Sequence, residues 1–146
     1  MRVVIGCDHG GYSLKDHVIN LLKSKGYEII DVGTHSADSV DYPDYAVLAA
    51  KEINEGRADK GIVICGSGIG ISIAANKCAG IRCALCHDHL TASLSRQHNN
   101  ANMVALGARI IGVEVATDIV LTFLNTEFEG GRHERRVTKI AEIEKD

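Results

Sequence analysis

Apolar residues along the chain form short continuous runs that alternate with longer segments of helical spacing. The first run covers residues 2–6, and the segment 13–25 then places leucine and valine at helical spacing before Gly26. A second run, 27–32, ends at Gly33. Continuous runs bounded by glycine are typical of buried strands, and apolar spacing of three and four residues is typical of helices. The pattern predicts that the chain begins with a strand, a helix and a second strand.

The same alternation continues to the end of the chain. A polar loop over 34–42 leads to Pro43, which marks the start of a second helix that closes at Gly56. The remaining predicted strands cover 61–65, 81–86 and 103–106, the remaining predicted helices cover 72–77, 88–97 and 113–124, and a last charged helix covers 132–145.

The five predicted strands are continuously apolar rather than alternating, as expected for strands that helices cover on both faces. We therefore expect an α/β fold, a three-layer α/β/α sandwich with a five-stranded parallel sheet that is Rossmann-like. No repeat or linker divides the 146 residues, so we expect a single domain over 1–146. The last helix, 132–146, follows the break Gly130-Gly131 and carries a thin apolar stripe. That stripe can dock on its own domain or on a partner subunit.

Composition and charge exclude several classes of protein. A net charge of −3 argues against a nucleic-acid-binding surface made by bulk charge, although a local cationic pocket remains compatible with it. The five cysteines are an odd number and lie mostly in apolar runs, which is typical of reduced thiols. The N-terminus turns polar too soon for a signal peptide, and no apolar run nears the roughly 18 residues that a membrane span requires. We expect a cytoplasmic protein that binds neither nucleic acid nor membrane.

The most informative motif follows the third predicted strand, where Cys65 precedes a turn formed by Gly66, Ser67, Gly68, Ile69 and Gly70. A Walker A loop would need lysine after its last glycine, and a Rossmann fingerprint would need glycine at 71. A cysteine phosphatase loop would need arginine at 71, which is isoleucine. The remaining chemistry is a thiol base beside backbone N–H groups that stabilise an oxyanion. The alternative is an inert buried thiol in a close strand-helix turn.

Other polar residues are predicted near the same edge of the sheet. Asp8 and His9 end the first strand and can handle hydroxyl protons, or else cap a helix and lie in a surface loop. His98 and Asn99 end the fourth helix, and Arg109 follows the fifth strand. We expect these three residues at the edge that carries Cys65, although a histidine there also suits a helix dipole.

Two further clusters are open to more than one interpretation. Arg132 and Arg136 are spaced i, i+4 and can clamp a phosphate, or form a solvated charged face. Cys83 and Cys86 are followed by a histidine-rich segment, but they point to opposite faces of a strand. We interpret them as core cysteines before a helix capped by Asp88, and we predict no metal site.

These residues lie in segments that resemble the type B ribose-5-phosphate isomerases, with the galactose-6-phosphate isomerase subunits as relatives. The matching segments cover nearly the whole chain and are GCDHGG (6–11), DYPDY (41–45), CGSGIGISIAANK (65–77), RQHNNAN (96–102) and GRHERR (131–136). Many members of that family carry threonine where this chain has Ser67. Serine keeps the hydroxyl group, but its side chain can adopt more χ1 rotamers than that of the β-branched threonine.

The resemblance implies an aldose-ketose isomerase that interconverts ribose 5-phosphate and ribulose 5-phosphate without a cofactor or metal. It implies that Cys65 moves the proton between C1 and C2, that the N–H groups of residues 66–70 stabilise the enediolate, and that Ser67 assists at the thiol. It implies further roles for residues outside this turn: ring opening by His98 and Asp8, sugar binding by His9 and Asn99, and phosphate binding by Arg109, Arg132 and Arg136.

The resemblance also implies a homodimer, or a dimer of dimers, in which the last helix of one subunit completes the site of the other. Two other functions remain open. One is isomerisation of a six-carbon sugar phosphate, such as allose 6-phosphate or galactose 6-phosphate. The other is a non-catalytic module that binds a phosphate or nucleotide through the same glycine turn.

Overall fold

The computed structural model describes residues 1–145 and contains five strands and six helices in that range. The elements in chain order are β1 (Arg2–Cys7), α1 (Tyr12–Ser24), β2 (Glu28–Gly33), α2 (Tyr42–Asn54), β3 (Lys60–Cys65), α3 (Ile69–Asn76), β4 (Cys83–Leu85), α4 (His89–Gln97), β5 (Met103–Gly107), α5 (Val113–Asn125) and α6 (Arg132–Ile143). The predicted order of elements is confirmed.

All strands are parallel, in the order β2-β1-β3-β5-β4. Side chains of α1, α4 and α5 form one apolar core with the strands, and those of α2 and α3 form a second core on the other face. Alternate residues of β3 serve both, since Ile64 lies in the first core and Cys65 in the second. This three-layer arrangement confirms the predicted parallel sandwich.

Helix α3 and strand β4 differ most from their predicted bounds. Helix α3 begins at Ile69, three residues before the predicted start, because Gly68 adopts φ +77° and turns the chain directly into the helix. The glycines obscured this start, since glycine is a poor helix former. Strand β4 is only three residues long because it is an edge strand that pairs with β5 alone.

The carboxyl ends of β1 and β3 lie side by side, and the chain leaves them in opposite directions along the sheet. Ligands bind at such a switch point in open α/β sheets. The two loops there pack closely: a Cβ atom on Gly10 would lie 3.0 Å from the amide nitrogen of Gly66, and one on Gly11 would lie 2.5 Å from the Ile64 oxygen. Glycine at both positions brings the loop after β1 against the turn after Cys65.

The amino edge of the sheet is organised by Arg96, which is 6% exposed. Its guanidinium donates hydrogen bonds to the Ala101 carbonyl (2.6 Å), to Oδ1 of Asn100 (2.9 Å) and to the Thr126 carbonyl (3.1 Å). Arg82 donates to the carbonyls of Asn99 and Asn100 in the same loop. The loop between α4 and β5 is therefore fixed by two arginines.

We expect Arg96→Met to lower the free energy of unfolding by about 3 kcal/mol, because three acceptors lose a buried charged donor. Urea unfolding followed by circular dichroism measures this change. The matched control is Arg57→Met, since Arg57 also donates side-chain hydrogen bonds, in its case to an ion-pair partner, but is exposed. Its midpoint should stay nearly unchanged. Equal losses in both variants would contradict the assigned role of Arg96.

Helix α6 leaves most of its surface uncovered by the rest of the chain. His133 is its one buried residue within the described range, while Ile140 and Ile143 are exposed. Near its other end, Glu144 accepts hydrogen bonds from the amide of Gly80. The apolar stripe is thus not buried in its own domain, and packing on a partner subunit stays a prediction. Every helix within residues 1–145 is too short or too polar to cross a membrane.

Candidate active site

A cavity of about 560 Å³ opens at the switch point between β1 and β3. It brings together seven of the predicted site residues, from the ends of three strands and the start of α3. The lining residues are Asp8, Tyr42, Cys65, Gly66, Ser67, Ile69, Gly70, Arg109 and Ile110.

The Cys65 thiol lies at the base of this cavity and is 4% exposed. Its Sγ accepts a hydrogen bond of 3.1 Å from the amide of Gly68, the residue that precedes α3. Backbone N–H donors and the positive end of a helix stabilise a thiolate. The thiol is therefore held in one orientation by a group that suits its ionised form.

The turn also offers backbone donors to a ligand. The amide of Ile69 donates to Oγ of Ser67 at 3.1 Å, so this hydroxyl keeps its own hydrogen for another acceptor. The amides of Gly66, Ser67 and Gly70 have no acceptor within residues 1–145. Of the five N–H groups implied for anion binding, those of Gly68 and Ile69 are engaged inside the turn, and the other three are available.

Asp8 and Arg109 place opposite charges in the cavity wall. Asp8 is buried and accepts the Gly11 amide at Oδ1 (3.1 Å), which leaves Oδ2 without a partner in the described chain. The interpretation of Asp8 as a helix cap is wrong, because Gly11 is the N-cap residue of α1 and no side chain makes a capping hydrogen bond there. Arg109 donates its amide to the Gly66 carbonyl, and its Nη1 would lie 3.1 Å from a Cβ atom on Gly66. A carboxylate and a guanidinium therefore accompany the thiol.

Tyr42 and Ile110 also line the cavity, although no sequence motif predicts a role for either residue. Tyr42 is the first residue of α2, and its hydroxyl oxygen would lie 2.9 Å from a Cβ atom on Gly70. A helix that follows a strand starts at the carboxyl edge of the sheet, so its position before Pro43 could have indicated this placement. Its ring covers the start of α3. His9 is outside the cavity lining and accepts a hydrogen bond from the Val40 amide at Nδ1.

The prediction that His98 and Asn99 lie at the same edge as Cys65 is wrong. Helix α4 starts after β4 and runs back along the sheet, so its C-terminus lies at the amino edge, just before β5. The length of β5, about 13 Å at roughly 3.3 Å per residue, separates the two edges. Arg109 does lie at the carboxyl edge, as predicted.

A second group of predicted site residues lies together at the amino edge. The ring of His98 stacks on that of His133 at the start of α6, with centroids 4.2 Å apart. Arg132 and Arg136 belong to the first turns of the same helix and are exposed. The structure therefore divides the predicted residues into a thiol group at the carboxyl edge and a histidine-arginine group at the amino edge.

The cysteine-histidine segment after β4 has the structure expected for core cysteines. Cys83 packs with one apolar core and Cys86 with the other. Burial raises the pKa of both thiols. The Asp88 side chain accepts the Thr91 amide at 2.7 Å and caps α4, as predicted.

Stability should depend on pH through His133. Burial, together with the cationic charges of His98, Arg132 and Arg136, holds the pKa of His133 below its ordinary value of 6.5. The unfolded chain then binds this proton at higher pH than the folded chain does, so folding loses stability as pH falls below 6.5. Urea unfolding at about pH 8 and about pH 5.5 measures the free energy of unfolding at each pH. This free energy should fall less between the two pH values for His133→Phe than for the wild type. Identical losses would contradict this linkage.

Comparison with known proteins adds to this geometry. The sequence profile of the family described as Ribose/Galactose Isomerase matches residues 3–140. Ribose-5-phosphate isomerase B of Escherichia coli K12 is 48% identical over 143 residues, covering 98% of this chain and 96% of its own length. The solved ribose-5-phosphate isomerase B of Clostridium thermocellum is 56% identical, with a TM-score of 0.98 and coverage of 99% and 98% of the two chains.

A second solved structure agrees with the first. The ribose 5-phosphate isomerase of Thermotoga maritima is 52% identical, with a TM-score of 0.95 and coverage of 97% of each chain. In all three comparisons the likeness runs over nearly the full length of both chains. The chain belongs to the ribose/galactose isomerase family.

Proposed function

We propose that this protein interconverts D-ribose 5-phosphate and D-ribulose 5-phosphate. The observation that carries the proposal is the Cys65 thiol, held at the start of α3 in a cavity with three available amides and a carboxylate. Relatives that are 48–56% identical are named ribose-5-phosphate isomerases. An aldose-ketose isomerase needs a base and an oxyanion site, and this cavity offers both.

The proton transfer uses the thiol group. The Cys65 thiolate removes the proton from C2 of the open-chain aldose, the C1–C2 double bond forms, and negative charge moves to O1. Amides of Gly66, Ser67 and Gly70 stabilise this enediolate. The thiol then returns the proton to C1, while the O2 proton moves to O1 by way of Asp8. The Ser67 hydroxyl has its hydrogen free to donate to the thiolate.

The remaining steps use groups from both edges of the sheet. His98 and Asp8 open the sugar ring, His9 and Asn99 hold its hydroxyls, and Arg109, Arg132 and Arg136 bind the phosphate. In one chain the thiol group and the histidine-arginine group are separated by the length of the sheet. We therefore infer that the partner subunit's His98 enters each cavity together with its arginines.

A homodimer with shared sites is thus the working unit. Two observations support it: the exposed apolar stripe of α6 and the cavity's lack of any cation other than Arg109 within the described residues. A dimer of dimers is a further assembly that light scattering would distinguish. The five free thiols suit a reducing compartment, and we infer a cytoplasmic location on that basis.

The substrate is tested by assaying the purified chain with ribose 5-phosphate, allose 6-phosphate and galactose 6-phosphate. We expect the highest kcat/KM with ribose 5-phosphate, and ribulose 5-phosphate as the product. A preference for allose 6-phosphate or galactose 6-phosphate would instead support isomerisation of a six-carbon sugar phosphate. Tight binding of sugar phosphates with no turnover of any would instead favour a non-catalytic binding module.

A further inference from the structure

Three residues at the amino edge form a cluster for which the proposed reaction gives only one member a role. The His98 and His133 rings stack with centroids 4.2 Å apart and an angle of 12° between their planes. Oε1 of Glu129 lies 3.8 Å from Nε2 of His98 and 3.6 Å from Nε2 of His133. One carboxylate therefore faces the same nitrogen of two stacked imidazoles.

A backbone hydrogen bond links the two segments that carry this cluster. His133 is buried, whereas His98 is partly exposed and Glu129 is exposed. The amide of Glu129 donates to the Gln97 carbonyl at 3.1 Å, which ties the segment before α6 to the end of α4. His133 can therefore support one face of the His98 ring, and Glu129 places a negative charge near the edge that carries Nε2.

The stacked geometry of the two rings fits support of His98 by its neighbours better than it fits binding of one metal ion by all three residues. The three donor atoms lie within 4.8 Å of one another, close enough for one ion. However, the lone pair of an imidazole lies in the ring plane, and lone pairs of nearly parallel rings do not converge on one point. A tetrahedral ion about 2.0–2.1 Å from both nitrogens would require the rings to tilt apart.

We propose that His133 and Glu129 are positioning residues for His98: His133 holds its ring plane by stacking, and the Glu129 carboxylate, 3.8 Å from Nε2 and beyond hydrogen-bond distance, favours a proton on that nitrogen through its negative charge. This inference rests on the proposed role of His98 in ring opening. With the proton on Nε2, Nδ1 is the nitrogen available to accept a proton from, or donate one to, the oxygen of the sugar ring.

The charges around His133 bear on its protonation. The groups that act on His133 are His98 from α4, Glu129 from the preceding segment, and Arg132 and Arg136 from α6. Burial and the three cations lower the pKa of His133, and Glu129 opposes them. Protonation of the His133 ring is thus disfavoured, and stacking is the contact that this ring offers to His98.

The test is a double-mutant cycle on kcat for ribose 5-phosphate. We expect His98→Ala to lose about 10³-fold, and His133→Ala and Glu129→Ala about 10-fold each, with KM changed less than about 2-fold. In a His98→Ala background, either second change should alter kcat by less than about 2-fold. His133→Phe keeps an aromatic ring for stacking and should retain more activity than His133→Ala.

The outcomes separate this inference from the proposed function. If His98→Ala kept full activity, the proposed role of His98 would fail, and positioning would fail with it. Two other results would overturn only the positioning roles of His133 and Glu129 while leaving the role of His98 intact. One is a large loss of kcat in His98→Ala with no loss in His133→Ala or Glu129→Ala. The other is a further loss of kcat when either change is added to His98→Ala. Glu134→Ala is the matched control, since Glu134 is an exposed carboxylate on α6 outside the stack.

Nitrogen NMR of the imidazoles gives a readout that a general loss of structure would not imitate. In the wild type at neutral pH we expect the neutral form of His98 to carry its proton on Nε2. Glu129→Gln keeps an oxygen atom near Nε2 and should keep this tautomer. In Glu129→Ala, neutral His98 should instead populate both the Nδ1–H and the Nε2–H tautomers, as free histidine does. An unchanged tautomer in Glu129→Ala with a folded spectrum would overturn the assignment for Glu129.

Discussion

Replacing Cys65 with alanine is expected to lower kcat for ribose 5-phosphate by about 10³-fold or more, because the proposed proton transfer from C2 to C1 loses its base. The cavity should survive the change, since alanine fills most of the same space and the Gly68 amide loses only a sulfur acceptor. Steady-state assays measure the loss, and thermal unfolding checks that the fold is intact. Cys65→Ser keeps a hydroxyl of higher pKa and should lose nearly as much.

The chain provides its own control for general effects of removing a thiol. Cys78 is a half-buried cysteine just beyond α3, and burial raises the pKa of its thiol. Cys78→Ala should keep wild-type turnover. Normal activity in Cys65→Ala, or an equal loss in both variants, would rule out Cys65 as the base.

Mixing two inactive variants is expected to restore activity if each cavity is completed by the partner. Cys65→Ala lacks the thiol group, and Arg136→Ala lacks part of the histidine-arginine group at the opposite edge of the sheet. In a mixed dimer one site carries both defects and the other carries neither. After random exchange of subunits, half of the dimers are mixed, so roughly a quarter of wild-type activity should return.

A second mixture controls for effects of exchange itself. Asp8 and Cys65 line the same cavity, so a dimer of Asp8→Asn and Cys65→Ala chains has one defect in each of its two sites. This mixture should stay inactive. Recovery in both mixtures, or in neither despite exchange verified by mass spectrometry, would contradict the shared site.

The order of elements was predictable because helices cover both faces of the sheet, which makes the central strands β1, β3 and β5 nearly continuous apolar runs, whereas the edge strand β2 also carries Glu28 and Asp31. The turn after Cys65 was predictable for a related reason: its glycines stand where a buried strand ends. Motif spacing alone could not locate the start of α3, since the left-handed conformation of Gly68 begins the helix inside a segment of low helix propensity.

The placement of His98 shows a different limit. Its predicted position at the carboxyl edge of the sheet is the edge where β4 ends. Helix α4, however, runs back from that edge, so His98 at its end lies at the amino edge. Tyr42 was overlooked for the complementary reason, because it lies at the beginning of a helix and therefore at the carboxyl edge. In both cases the direction of the helix, rather than the residue type, decides the position.

The separation of the two residue groups by the length of the sheet has a consequence for how activity responds to dilution. On the shared-site proposal an isolated chain holds two incomplete half-sites, neither of which turns over substrate. Turnover per chain should then stay constant at high protein concentration and fall once the concentration drops below the dissociation constant of the dimer. The concentration of the protein would itself set its specific activity.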